Sequence, residues 1–215
     1  RKPSVDALAV LETSFLFGLD GEDHRRLRNL VATAFIPQRV RNLHAIVDET
    51  IDALVRPMRE GVDEIEIVMQ LANPLPCRVI AEILGIGLDH TEDFRRWAIC
   101  ITQNPSLGLT PPTEAHLDLY LDSAIELFTF LTGKIAEARL APRDDFLSTL
   151  VTARDDQGVA LTDQEIIAFL QALLVGGQET TTAIIASGVK ILLEQPHLLD
   201  ALLADPGRID DFVDE

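Results

Sequence analysis

The sequence of 215 residues predicts a mainly α fold built on one long central helix with minor β, and three observations carry that prediction. Apolar residues recur at helical spacing in segments 22–34, 38–56, 74–84, 90–101, 114–139, 144–153 and 163–194. Strand-type alternation occurs at useful length only in DEIEIV (63–68), which predicts one short strand. The last apolar segment opens with Thr162 and Glu165 at capping-box spacing, so each side chain reaches an orphan N–H of the first turn. Continued to Gln195, that helix is about 50 Å long at 1.5 Å per residue.

The remaining elements follow in chain order. Pro37, Pro76, Pro142 and Pro196 punctuate the helical segments near their ends. NPSLGLTPPT (104–113) is expected to be a mobile loop between two helices, because Pro and Gly leave it few backbone hydrogen bonds of its own. ARDDQGVAL (153–161) predicts a turn centred on Gly158. No internal repeat, low-complexity tract or Gly/Ser linker divides the chain, so residues 1–215 are expected to form a single, mainly helical unit.

Composition bounds the class of function. A hydrophobic fraction of 47% supplies a sizeable core. A net charge of −17 disfavours nucleic acid and anionic membrane as partners, since both are polyanions. The opening residues carry no signal-peptide pattern, and Glu179 interrupts the central apolar run before it could span a bilayer. The two cysteines, Cys77 and Cys100, have neither metal-type spacing nor a disulfide framework, so a soluble protein of the reducing cytoplasm is expected, with both as small buried hydrophobes. His44, His90, His116 and His197 are scattered and are given no metal role.

LLVGGQETTT (173–182) is the anomaly of the central helix. Gly176 and Gly177 each cost about 1 kcal/mol relative to Ala, and Thr180, Thr181 and Thr182 add a little more. Glycines make room for a close-packed body, and a threonine hydroxyl can take over a helix carbonyl at a local kink. Two readings compete: helix–helix packing at the glycines with Glu179 on a solvated face, or a flat ligand against the helix with an acid and an alcohol beside it. GEDHRRLRNLVATAFIPQRV (21–40) adds His24 and Arg28, one turn apart on one face, a pair that can grip anionic groups but is common on solvated helices.

Together these stretches resemble the haem-thiolate monooxygenases, the cytochrome P-450 superfamily in its soluble bacterial type. DHRRLR looks like the family's C-helix motif and GGQETT like its I-helix pattern, while NPLPCRVIAEILGI resembles the D–E region and LLEQPHLLDALLADPGRIDDFVDE the J helix running into the K helix. The resemblance implies a P-450 type fold, a haem cofactor whose propionates pair with His24 and Arg28, and a close approach of Gly176 and Gly177 to the distal haem face. It implies that Glu179 and Thr180 form a catalytic acid–alcohol pair, and that Ala172 and Val175 face a small organic substrate. The implied reaction is reductive activation of O2 and oxygen insertion into a C–H bond, with electrons from a ferredoxin- or flavodoxin-type partner. Arg25, Arg26, Arg28, Arg39 and Arg41, with no acid among them, form a positive strip that in the family borders the docking face of such a partner.

The register makes Glu215 the glutamate of the family's E-x-x-R motif, so the arginine of that motif and the cysteine-ligand loop are expected beyond residue 215. Neither Cys77 nor Cys100 follows a Phe-x-x-Gly run, so no metal ligand is assigned within this chain, and the 215-residue piece alone is expected to be inactive. Two alternatives stand beside the monooxygenase: a haem-free P-450-like helper that activates a partner such as a glycosyltransferase, and a plain helical interaction domain. Haem content separates the monooxygenase from the helper.

Overall fold

The computed structural model describes residues 19–60, 64–85, 90–102 and 113–214. Helix α1 (Gly21–Ala32) starts at Asp20, whose carboxylate accepts from the Gly21 N–H at 2.7 Å. Helix α2 (Pro37–Arg59) has Pro37 in its first turn, where the missing N–H would have been unpaired anyway. A π-helical turn (Val68–Ala72) leads into α3 (Pro74–Ile83), followed by α4 (Thr91–Thr102) and α5 (Glu114–Leu140). Helix α6 (Phe146–Thr152) is capped by Asp145, which accepts from the Ser148 N–H at 2.7 Å. The central helix α7 (Asp163–Glu194) runs unbroken and begins with the expected capping box: the Glu165 N–H donates to Thr162 Oγ1 at 3.1 Å and the Thr162 N–H to Glu165 Oε2 at 2.7 Å. Helices α8 (Pro196–Ala204) and α9 (Ile209–Asp214) close the described chain, joined by a 3-10 turn at Pro206–Arg208.

The turn at Gly158 is as expected, with φ +80° there and the Gly158 N–H donating to Asp155 O at 2.8 Å. The strand expected in DEIEIV is not formed among its described residues, which are irregular at 64–66 and helical from Ile67. The Glu66 carboxylate accepts from the N–H groups of Val68 at 3.3 Å and Met69 at 2.6 Å, and its own N–H donates to Gln70 Oε1 at 3.1 Å. Side chains thus satisfy locally the groups a partner strand would have bonded. Extended pairing among the described residues is an isolated bridge between Arg154 and Ala160. The expected loop at 104–113 lies outside the described residues except for Thr113.

One apolar core runs from Leu27, Leu30 and Val31 of α1 through Ile80 of α3, Phe94 and Trp97 of α4 and Leu127, Leu131 and Ile135 of α5 to α7. The first half of α7 is its axis: Ile166, Ile167, Ala168, Phe169, Leu170, Gln171 and Ala172 are all buried, as a helix apolar on every side must be. It packs against α3, α4, α5, α6 and the π turn. Each large buried side chain there contributes about 1.5–3 kcal/mol of transfer free energy. Among the described residues no helix is long and apolar enough to cross a membrane.

Two arginine forks bracket the N-terminus of α7. From α5, Arg139 donates to Asp163 Oδ1 at 2.7 and 2.9 Å and to Leu161 O at 3.0 Å. From α1, Arg26 donates to Asp155 Oδ2 at 2.9 Å, Glu165 Oε1 at 2.6 Å and Ala160 O at 3.0 Å.

Candidate active site on the central helix

At about 100° per residue, positions 172, 176, 179, 180, 183 and 187 of α7 share one side. That side changes character along the helix: Ala172 is buried, whereas Gly176, Glu179, Thr180, Ala183 and Ser187 are exposed. An all-buried helix therefore opens to one side at its glycines.

The two glycines do different work. A Cβ built on Gly176 would meet nothing within 4 Å, so this position leaves the open face flat. A Cβ on Gly177 would lie 3.1 Å from Ile80 Cδ1 and 3.8 Å from Ile80 Cγ1, so Gly177 lets α3 pack closely on α7. The threonines divide likewise. Thr180 Oγ1 donates to Gly176 O at 2.6 Å within an unbroken helix, while Thr182 Oγ1 donates across to Ala72 O at 3.1 Å and ties α7 to the π turn. Glu179 is exposed and makes no hydrogen bond or ion pair among the described residues. Val175 is half-buried and packs against the core.

On α1 the core-facing stripe is Leu27, Leu30 and Val31. Arg26 lies on one flank of that stripe, and His24 and Arg28 on the other. His24 is half-buried and Arg28 exposed, and neither has a hydrogen bond or ion pair among the described residues. Arg26 leaves the positive strip expected of Arg25, Arg26, Arg28, Arg39 and Arg41: its guanidinium is held by two carboxylates and a carbonyl, a structural use that a strip read along the sequence does not distinguish.

Both cysteines are buried, and burial pushes the Cys77 thiol up to about 11.

The family model for cytochrome P-450 matches residues 2–206. The chain belongs to the cytochrome P-450 family. Among curated relatives of this P-450 chain, erythromycin C-12 hydroxylase of Saccharopolyspora erythraea is 35% identical over 199 residues, covering 92% of this chain and 48% of the relative. Epothilone C/D epoxidase of Sorangium cellulosum is 29% identical over 212 residues, covering 99% of this chain and 50% of the relative. The open structure of cytochrome P-450 EryK of S. erythraea superimposes with a TM-score of 0.80 at 32% identity, over 96% of this chain and 52% of that one. This P-450 chain spans about half the length of the curated relatives it matches.

Sequence reasoning missed Arg26, Asp155, Arg139 and Thr182 as architectural residues. Arg26 sits beside the apolar stripe of α1, which was a signal, but its partners lie 129 and 139 residues away and leave no local trace.

Proposed function

We propose that the whole protein is a haem-dependent monooxygenase that inserts oxygen from O2 into a C–H bond of a small organic substrate, with electrons from a ferredoxin- or flavodoxin-type partner in the cytoplasm. The observation that carries this is the open face of α7: a glycine, an acid and an alcohol turned outward from a helix whose preceding turns are buried on every side.

The residues present fit a haem. Gly176 itself adds no side chain to the open face and has nothing within 4 Å of where a Cβ would stand, and His24 and Arg28 lack internal partners among the described residues. When bound, the haem supplies the binding and reductive activation of O2. Arg28 would hold a propionate through charge-assisted bonds, with His24 one turn away adding a second donor. The Thr180 hydroxyl commits its proton to Gly176 O at 2.6 Å, so its lone pairs are left to accept, and a water on the open side would donate to them. Glu179 reaches solvent and can carry protons to that water, because a carboxylate cycles protonation and rotates. Val175 would touch the substrate, and buried Ala172 would contribute only its small size.

The test is the absorption spectrum of the full-length protein, reduced and treated with carbon monoxide. A red-shifted, thiolate-type band is expected, and Thr180→Ala should keep substrate binding and reductant consumption while diverting oxygen to peroxide. Absence of haem would favour the helper reading, and unchanged coupling of reductant to product would remove Thr180 from the mechanism.

A further inference from the structure

We infer that Arg26 is the positioning residue of the haem site, fixing the roll of α1 against α7 and so aiming His24 and Arg28. This rests on the proposed reading of α1 as the propionate-binding helix.

The apolar stripe of α1 cannot by itself set that aim. Leu27, Leu30 and Val31 hold the helix against the core through contacts that have no direction, and such contacts tolerate a small roll. His24 and Arg28 flank the stripe on one side, so a roll swings both toward or away from the site. Arg26 flanks it on the other side and is held from three directions, by Asp155 Oδ2, Glu165 Oε1 and Ala160 O. A planar guanidinium fork is directional, and a roll of α1 breaks it first.

The anchors are themselves fixed. Asp155 Oδ1 accepts from the N–H groups of Gln157 at 3.0 Å and Val159 at 2.8 Å, which locks its carboxylate in the turn. Glu165 is the capping-box acid of α7, bonded through its other oxygen to the Thr162 N–H. Arg26 therefore ties α1 to the first turn of the helix that carries Gly176, eleven residues and about 17 Å further along the same rigid rod. Arg139 supplies an internal control: it grips the same end of α7 with a similar fork but from α5, which carries no proposed haem contact.

The experiment is a thermodynamic cycle on the full-length protein. Haem loss to an excess of apomyoglobin is timed for wild type, Arg26→Ala, Arg28→Ala and the double variant, and the melting of each apoprotein is recorded alongside. Arg26→Ala should speed haem loss about tenfold when Arg28 is present and change it by less than about twofold when Arg28 is already Ala, the mark of two coupled residues. Arg139→Ala should lower apoprotein melting but leave haem loss within about twofold of wild type. If Arg26→Ala unfolds the protein, Arg26→Lys, which keeps the charge but not the fork, should show the same non-additivity in reduced size. Additive effects of Arg26 and Arg28, or equal acceleration by Arg139→Ala, would show that Arg26 only stabilises the fold. A wild-type protein that holds no haem overturns the proposed function and this inference together.

Discussion

Gly176 and Gly177 are chemically identical neighbours with opposite surroundings. Ala is favoured over Gly inside a helix by about 1 kcal/mol, and at Gly176 nothing opposes it within 4 Å. Gly176→Ala should therefore raise the urea midpoint of this chain, while in the haem-bound protein the same methyl would press on the cofactor. At Gly177 the space is taken by Ile80, so Gly177→Leu should lower the midpoint, with overpacking costing about 1–3 kcal/mol. Equal shifts at the two sites would contradict this division of labour. The spacing of the sequence marked both glycines as anomalous, but only neighbours contributed by α3 distinguish them. Thr180 and Thr182 repeat the point, one closing on its own helix and the other bonded to Ala72.

Element boundaries followed local signals closely. The capping box, the N-terminal prolines of α2 and α8, and the Gly158 turn all lie where Thr162, Pro37, Pro196 and Gly158 placed them, because each acts through atoms within a few residues. The exception was 64–68, where Glu66 capped a helical turn instead of alternating in a strand. The junction of α1 with α7 makes a prediction at this scale. Asp155 is held below the ordinary carboxylate range by the Val159 N–H first and by Arg26 second. Burial pushes the Glu165 carboxyl upward, but the Thr162 N–H and Arg26 outweigh it and the net shift is downward. Groups with lowered folded values stabilise the protein above their unfolded values, near pH 4, and lose that contribution as pH falls through the folded ones. The melting temperature should therefore drop on acidification below about pH 5, and Asp155→Asn should flatten part of that drop. Parallel pH profiles for variant and wild type would exclude the junction as the acid-sensitive element.

Across the whole molecule, burial is uneven. The first half of α7 is enclosed, whereas its second half and helices α8 and α9 expose Ile184 (62%), Leu193 (72%), Leu203 (71%) and Val213 (64%), and Ile184 and Val213 line a broad hollow. Apolar surface of this extent drives association. The 215-residue chain should show concentration-dependent self-association by sedimentation velocity despite its charge of −17, and Leu203→Glu should reduce it. A single monomeric species across the concentration series would refute that expectation.

The sequence by itself determined the helical class, the course of α7, its cap and its anomalous glycine–acid–threonine centre, because helix periodicity, capping and backbone propensity act within one or two turns. It also placed His24 and Arg28 on one face. Only the tertiary structure decided that Gly176 is open and Gly177 packed, that Glu179 and Thr180 lie outward, and that Arg26 belongs to the architecture rather than to a docking strip. Those outcomes depend on Ile80, Asp155 and Glu165, which chain folding brings from up to 139 residues away. No local pattern encodes which of two adjacent side chains such a neighbour will meet.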